Sequence, residues 1–318
     1  MKIVIDVDAL QKNGVITESI GDLLRQHALN NAGSTAINIL LALGAIAVAA
    51  GMISLIPHAG VAALFGLGFI LLGSLVVKHY GRRWGKLGSI WMVVGALILC
   101  GSMGMLIDQP MLASLSAALI LTWVSVLARS RLLMALVPFA LAAAIGGSTG
   151  YWHACYAVTI EEPTLTIFIF GVLAAVSWEI AWQFDNIFHD LAIIFARVCV
   201  ILVNFGFWIG SLWGDTPGHT WRAGVEPTFY TITHQTVPAW MFSIGWAMAL
   251  VAAAAWGVKN NRRFMVNTAA VFGSIHLYTQ WFEYLGIHPL SVILSGFAAI
   301  GLGLGLWHYN RASLERNA

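Results

Sequence analysis

Ionisable and polar side chains set inside long apolar runs carry whatever chemistry this sequence has, because such residues are costly in hydrocarbon and face a protein interior or a wet cavity. Asp190, Arg197, Asn204 and Ser211 recur every seven residues, a spacing that lines them up along one helix face. Arg197 enters about 9 Å from one membrane face at about 1.5 Å rise per residue, and Glu179, in the preceding apolar run, lies about 4 to 5 Å inside the same face. An ion pair between the two is geometrically open. If they only neutralise one another and fix helix register, replacing both restores what either single replacement loses, since half a pair leaves an uncompensated charge. The alternative is a gate or a proton-coupled carboxylate.

A second group, His276, Gln280 and Glu283, falls at i, i+4 and i+7 on one face. An imidazole and a carboxylate on one line suit proton relay, cation binding or the holding of a polar head group. With Tyr278, Trp281, Phe282 and Tyr284 beside them, the same residues also read as an aromatic belt and its hydrogen-bond partners. A third group lies between apolar runs: His153, His219 and His234, with Cys155, Glu161, Glu162, Asp215, Glu226, His58 and His288. Imidazole suits Zn, Cu and Fe, but no pair has the HExxH or CxxC spacing of a recognised metal site. There is no Ser nucleophile elbow, no paired catalytic aspartates and no CxxCH haem motif, so no catalytic residue is assigned and no cofactor is implied.

The elements that must position these residues follow from composition. Of 318 residues 59% are apolar and only 9% charged, against about 25% charged in an ordinary soluble domain. That leaves too little polar surface for a soluble protein. Apolar segments fall at roughly 36–56, 60–77, 87–107, 111–128, 132–150, 164–182, 191–213, 238–257, 264–284 and 290–309, each near the roughly 20 residues that span a bilayer as a helix. The alternating ten-residue pattern of a β-barrel is missing. The expected fold class is therefore an all-α integral membrane protein of about ten transmembrane helices. The first apolar run begins only near Ala36, so no cleavable leader is expected, and three cysteines give no disulfide framework.

Basic residues set the orientation. With the N-terminus in the cytoplasm, Lys2, Lys12, Arg25, Lys78, Arg82, Arg83, Lys86, Arg129, Arg131, Lys259, Arg262, Arg263, Arg311 and Arg316 all fall inside, and only Arg197 and Arg222 do not. Both termini are thus expected to be cytoplasmic, with an N-terminal segment over 1–33, a polytopic domain over 34–310 and a tail over 311–318. Within the first segment Thr17 reads as the N-cap of a short helix whose Ile20, Leu23, Leu24 and Ala28 share an apolar face. Gly206/Gly210 and Gly301/Gly305 have the small-xxx-small spacing that lets helices approach closely. Gly66-Leu67-Gly68 has no preceding strand and is not a nucleotide loop.

The run Gly14-Val15-Ile16, the stretch Ser148 to Ala154, the segment Asn204 to Asp215 and a final hairpin from Tyr278 to Arg311 together resemble a group of bacterial polytopic membrane proteins known only as a domain of unknown function. The resemblance implies a multi-pass protein of the bacterial cytoplasmic (inner) membrane and no activity. The leading expectation is a structural or accessory membrane protein whose intramembrane charges stabilise the bundle. The alternative is a transporter or channel for a small solute or lipid, and the third reading is a membrane enzyme or metal-binding redox protein. The expected partners are the lipid bilayer, a second copy or another membrane protein, and a small solute or lipid for a transporter; nothing points to nucleic acid.

Overall fold

The computed structural model describes residues 58–152, 155–184, 187–218, 236–285 and 288–315, and before them positions 11, 17, 19–22, 40, 43, 44, 47, 48 and 51. Two compact units divide the chain, one of Met1–Asp108 with Ile120–Leu133 and one of Gln109–Leu119 with Met134–Ala318. Six helices are long and apolar enough to cross a membrane, which makes this a multi-pass helical membrane protein. They are α1 (Ala59–His79), α2 (Gly85–Leu106), α3 (Pro110–Ala128), α5 (Pro163–Ala181), α6 (Ile187–Trp213) and α7 (Ala239–Lys259). Between α3 and α5 lie α4 (Arg131–Ala144) and a two-stranded antiparallel hairpin, β1 (Gly147–Trp152) with β2 (Cys155–Ile160). The chain then closes with α8 (Arg263–Leu285) and α9 (Pro289–Glu315).

Four of the ten expected spans are not among these six. The first falls almost wholly outside the described residues, although Leu40, Leu43, Gly44, Ala47, Val48 and Gly51 within it are helical. The fifth is cut short: α4 has 14 residues, about 21 Å at 1.5 Å per residue, and the Gly146-Gly147 pair turns the chain into β1. Gly146 sits at φ 91°, a left-handed conformation in which a side chain would be strained. The ninth, α8, is long enough at 23 residues, but Asn267, Ser274, His276, Thr279, Gln280 and Glu283 lower its hydropathy. In the tenth, Val292–Gly305 forms a shorter apolar helix within α9. Near the N-terminus Ser19–Asp22 is helical and the Gly21 N–H donates to Thr17 O at 3.0 Å, consistent with Thr17 opening that helix; Leu23, Leu24 and Ala28 lie outside the described residues.

In the first unit the chain is helical from Ala59 to Leu106, but it cannot run straight. Gly66 and Gly95 are 29 positions apart, about 43 Å along a straight helix, yet a Cβ on Gly66 would stand 2.9 Å from Gly95 O. A Cβ on Gly73 would likewise stand 2.5 Å from Gly88 O. The chain therefore reverses between His79 and Gly85, and α1 and α2 form an antiparallel hairpin. Gly66 and Gly73 on α1 and Gly88 and Gly95 on α2 are each seven residues apart, one glycine per two turns on the contact face, and they let the two backbones touch. Phe69 and Trp91 pack edge to face beside the seam, with ring centres 6.2 Å apart.

In the second unit α6 is the central helix. Phe170 and Ala174 of α5 pack with Ile145 against Cys199 and Leu202 of α6, and Trp246 and Leu250 of α7 pack against Ala269 and Phe272 of α8. Gly206 faces Ile167 and Thr166 of α5, while Gly210 lies under the Phe242 ring of α7. Gly301 and Gly305 meet nothing within 4 Å, so the expected close approach holds for the first glycine pair and not for the second. The turns are closed by backbone caps. Asn261, at φ 53°, ends α7 with Arg262 N–H donating to Gly257 O at 2.8 Å.

The hairpin seam predicts that Gly73→Ala and Gly95→Ala each destabilise by about 1–3 kcal/mol through overpacking. Gly68→Ala, at a position with nothing within 4 Å, leaves stability unchanged or slightly raised. Denaturant unfolding of the three variants in mixed micelles measures the difference.

Candidate functional site

The seven-residue stripe on α6 leads into the second unit, and its members differ in what they meet. Asn204 is buried; its Nδ2 donates to Val200 O at 2.8 Å and its Oδ1 accepts from Trp246 Nε1 at 2.9 Å. Trp246 is fully buried, so its N–H needs an acceptor inside the protein. On its other side the indole packs edge to face with His276 of α8, ring centres 4.9 Å apart. Asn204 and His276, which sequence spacing put on separate faces of separate helices, are thus joined through one tryptophan. Ser211, one turn-pair further, is buried and donates to Trp208 O at 2.7 Å, a bond within its own helix. Trp208 Nε1 donates to Thr279 Oγ1 at 3.1 Å, a second link from α6 to α8.

Towards the start of α6 the stripe opens into a cavity of about 300 Å³. Glu179 and Arg197 both line it, with Trp178, Trp256 and Phe264. They do not pair with one another among the described residues; the Arg197 guanidinium lies over the Phe264 ring at 5.0 Å instead. A second cavity of about 200 Å³ shares Ala174, Val200 and Met265 with the first and reaches Asn204. The first cavity's rim is aromatic and basic. Arg262 lies over Trp178 and Trp182 at 5.3 and 5.0 Å, and Trp178 packs edge to face with Trp256 at 5.9 Å. His189 Nδ1 donates to Ala181 O at 2.8 Å, and its ring packs on Trp182. Asp190 is half-buried in the first turn of α6, where the helix dipole favours a carboxylate.

On α8 the expected row separates. Glu283 is exposed, whereas His276 Nδ1, Gln280 Nε2 and Trp281 Nε1 are enclosed and have no hydrogen-bond partner among the described residues. His276 also lines a third cavity, of about 630 Å³, bounded by α7, α8 and α9.

Two carboxylates that stand between apolar runs in the sequence, Glu162 and Asp215, are buried in the second unit. Glu162, which precedes Pro163 at the head of α5, is fully buried, and its Oε2 accepts from Gly218 N–H at 2.8 Å. Asp215, just past the end of α6, is buried and its Oδ2 accepts from Thr164 N–H at 2.8 Å. Each carboxylate binds the backbone of the other's segment, so Asp215 caps α5 from 51 positions away. Asp215 also pairs with Val237 through two backbone bonds of 2.9 and 3.0 Å, which fixes the entry to α7. The Glu-Pro step marks Glu162 as a helix-start residue, but its partner across the fold has no local signal.

His153, His219 and His234 lie outside the described residues. His58 caps α1, its Nδ1 accepting from Gly60 N–H at 3.1 Å. Among the described residues no group of three or more His, Cys, Asp or Glu is placed to hold a metal.

The Asn204–Trp246 bond predicts that Asn204→Leu destabilises the protein by leaving a buried indole N–H unpaired. A double-mutant cycle with Trp246→Phe is expected to give a coupling of about 0.6–1.7 kcal/mol, the range of hydrogen bonds between membrane helices, measured by unfolding in mixed micelles. No protein-family model, curated protein or solved structure matches the chain.

Proposed function

We propose that this chain is a ten-span protein of the bacterial cytoplasmic membrane, with both termini cytoplasmic, that transports a small amphipathic zwitterion through its second unit. The observation that carries the reading is that Glu179 and Arg197 border one cavity without pairing. Two opposite charges kept apart at a membrane-embedded site are free to take opposite charges from a ligand. A guanidinium suits a carboxylate or phosphate, and a carboxylate flanked by Trp178 and Trp256 suits an ammonium group. The cavity's 300 Å³ is at the small end of ligand sites, and the adjoining cavity that reaches Asn204 extends it towards the middle of the bundle. A cytoplasmic N-terminus would put fourteen of the sixteen basic residues inside, which supports the orientation, and the resemblance read from the sequence supports the bacterial membrane.

A structural or accessory role is the second reading. It is favoured by the internal saturation of Asn204 and Ser211, whose polar groups are held by Val200, Trp246 and Trp208. Proteoliposomes loaded with a panel of amino acids separate the two. Transport predicts flux of at least one of them, lowered about tenfold or more by either Arg197→Gln or Glu179→Gln and not restored when both are changed, as for loss of a charged contact. No flux, together with recovery of stability in the double variant, leaves the structural role.

The orientation has its own test, in a chain whose Cys100, Cys155 and Cys199 have been replaced. A membrane-impermeant maleimide applied to intact cells is expected to label Thr228→Cys and to reach Asn260→Cys only after lysis. The reverse pattern inverts the proposed topology.

A further inference from the structure

The cavity that Glu179 and Arg197 border is a groove open to the outside of the second unit. Both charged side chains are exposed, and so are Ala175 and Trp256, which line it with them. All four stand on helices of membrane-spanning length, α5, α6 and α7, where an exposed side chain meets lipid. The depth is that of a head group. Glu179 is two residues from Ala181, the end of α5, and Arg197 lies about 9 Å beyond Leu191, where the apolar run of α6 begins. Helical side chains lean towards the N-terminus of their helix and a long cationic stem reaches for the interface, so the guanidinium is carried back towards the face at which α6 starts. Arg262, in the turn between α7 and α8, lies over Trp178 and Trp182 at that same face, and Lys259 ends α7 exposed. Tryptophan and basic side chains gathered at a membrane face are the surroundings in which phospholipid head groups sit. Apart from the two charges and the indole N–H groups the groove is hydrocarbon, with Ala174 and Val200 about 10–14 Å from the face at 1.5 Å per residue.

An exposed guanidinium and an exposed carboxylate that share one groove and do not pair match a ligand carrying an anion and a cation on one short link. A guanidinium takes a phosphate through two parallel hydrogen bonds, and a carboxylate takes an ammonium. Because the groove opens to the bilayer and is otherwise apolar, the rest of the ligand belongs in hydrocarbon. We infer that the groove binds phosphatidylethanolamine, with the phosphate on Arg197, the ammonium on Glu179 and an acyl chain along Ala174 and Val200. A primary ammonium is favoured over the quaternary one of phosphatidylcholine on two grounds. The Glu179 carboxylate accepts hydrogen bonds, which a methylated nitrogen does not donate, and one of the two indoles lining the groove, Trp178, already has the Arg262 guanidinium over it. An anionic lipid without an ammonium leaves Glu179 unanswered. The inference rests on the reading of Glu179 and Arg197 as the counter-charges of a zwitterion, and it places the source of that zwitterion in the bilayer.

Native mass spectrometry tests this on the full chain, ejected from nanodiscs of equal parts phosphatidylethanolamine, phosphatidylcholine and phosphatidylglycerol. One phosphatidylethanolamine per chain is expected to be retained, about tenfold or more over either other lipid. Arg197→Gln is expected to lower that retention about tenfold or more. Glu179→Gln has a different signature: the phosphate contact remains, and phosphatidylethanolamine and phosphatidylcholine are kept equally. Both side chains are exposed, so the two variants are expected to unfold in mixed micelles at the same denaturant concentration as the parent. A merely structural pair would lower stability without changing which lipid is kept. Free leucine and phosphoethanolamine, added to nanodiscs of phosphatidylcholine alone, separate the sources of the charge pair. If either binds with the same dependence on Arg197 and Glu179 while phosphatidylethanolamine is not preferred, the zwitterion reading stands and the lipid inference falls. If neither the lipid nor a free zwitterion binds, both fall. Equal retention of the three lipids by parent and variants also overturns the inference.

Discussion

In hydrocarbon a buried indole N–H has no water to turn to, and Trp246 meets that constraint through Asn204. The bond fixes the rotation of α7 against α6, because a fully buried Trp246 can reach Asn204 Oδ1 in only one register. It also places the far side of the indole against His276, so α8 takes its rotation from the same residue. Trp208 and Thr279 repeat the arrangement nearer the end of α6. The polar groups of the second unit thus orient helices whose apolar surfaces, facing lipid as readily as each other, supply little orientation of their own.

Glycine works alongside this polar register. In the first unit the four glycines of α1 and α2 bring backbones into contact, and the atoms nearest to them are backbone or apolar, so dispersion between close-packed groups helps hold the hairpin. In the second unit Gly210 admits the Phe242 ring, and that approach keeps α7 near enough to α6 for the Asn204–Trp246 bond. The glycines of α9 are used differently: Gly301 and Gly305 touch no side chain closely and widen a cavity instead.

At the helix ends internal bonding is partial, since Asp215 Oδ1 and Thr164 Oγ1 are enclosed without a partner among the described residues. Glu162 and Asp215 exchange bonds with each other's backbone, so the head of α5 and the tail of α6 are held together where both carboxylates are buried. Near Glu179 and Arg197 internal bonding gives way to ring contacts. Aromatic faces support Arg197 and Arg262, and the two opposite charges beside the cavity are left unpaired with one another. A bundle that holds Asn204 and Ser211 by internal bonds leaves these charges apart, and leaves Asp215 Oδ1, Thr164 Oγ1, His276 Nδ1, Gln280 Nε2 and Trp281 Nε1 enclosed without a partner among the described residues.

Composition and apolar run length by themselves determined that the chain is helical and multi-pass, since both depend only on local transfer free energy into a bilayer. The same signal placed α1, α2, α3, α5, α6 and α7 to within a few residues. It overextended the fifth span, because hydropathy does not register that Gly146 takes a left-handed turn into β1. Helical spacing, every seven residues for Asn204 and Ser211 and i, i+4 for His276 and Gln280, identified residues that need partners, but a period gives the face of one helix and not what lies opposite. Only the tertiary structure decided that Trp246 joins Asn204 to His276, that Glu179 and Arg197 share a cavity without pairing, and that Glu283 stands apart. Those outcomes depend on helix rotation and on contacts between residues as far apart as Thr164 and Asp215, which are set by packing across the bundle and leave no periodic trace along the chain.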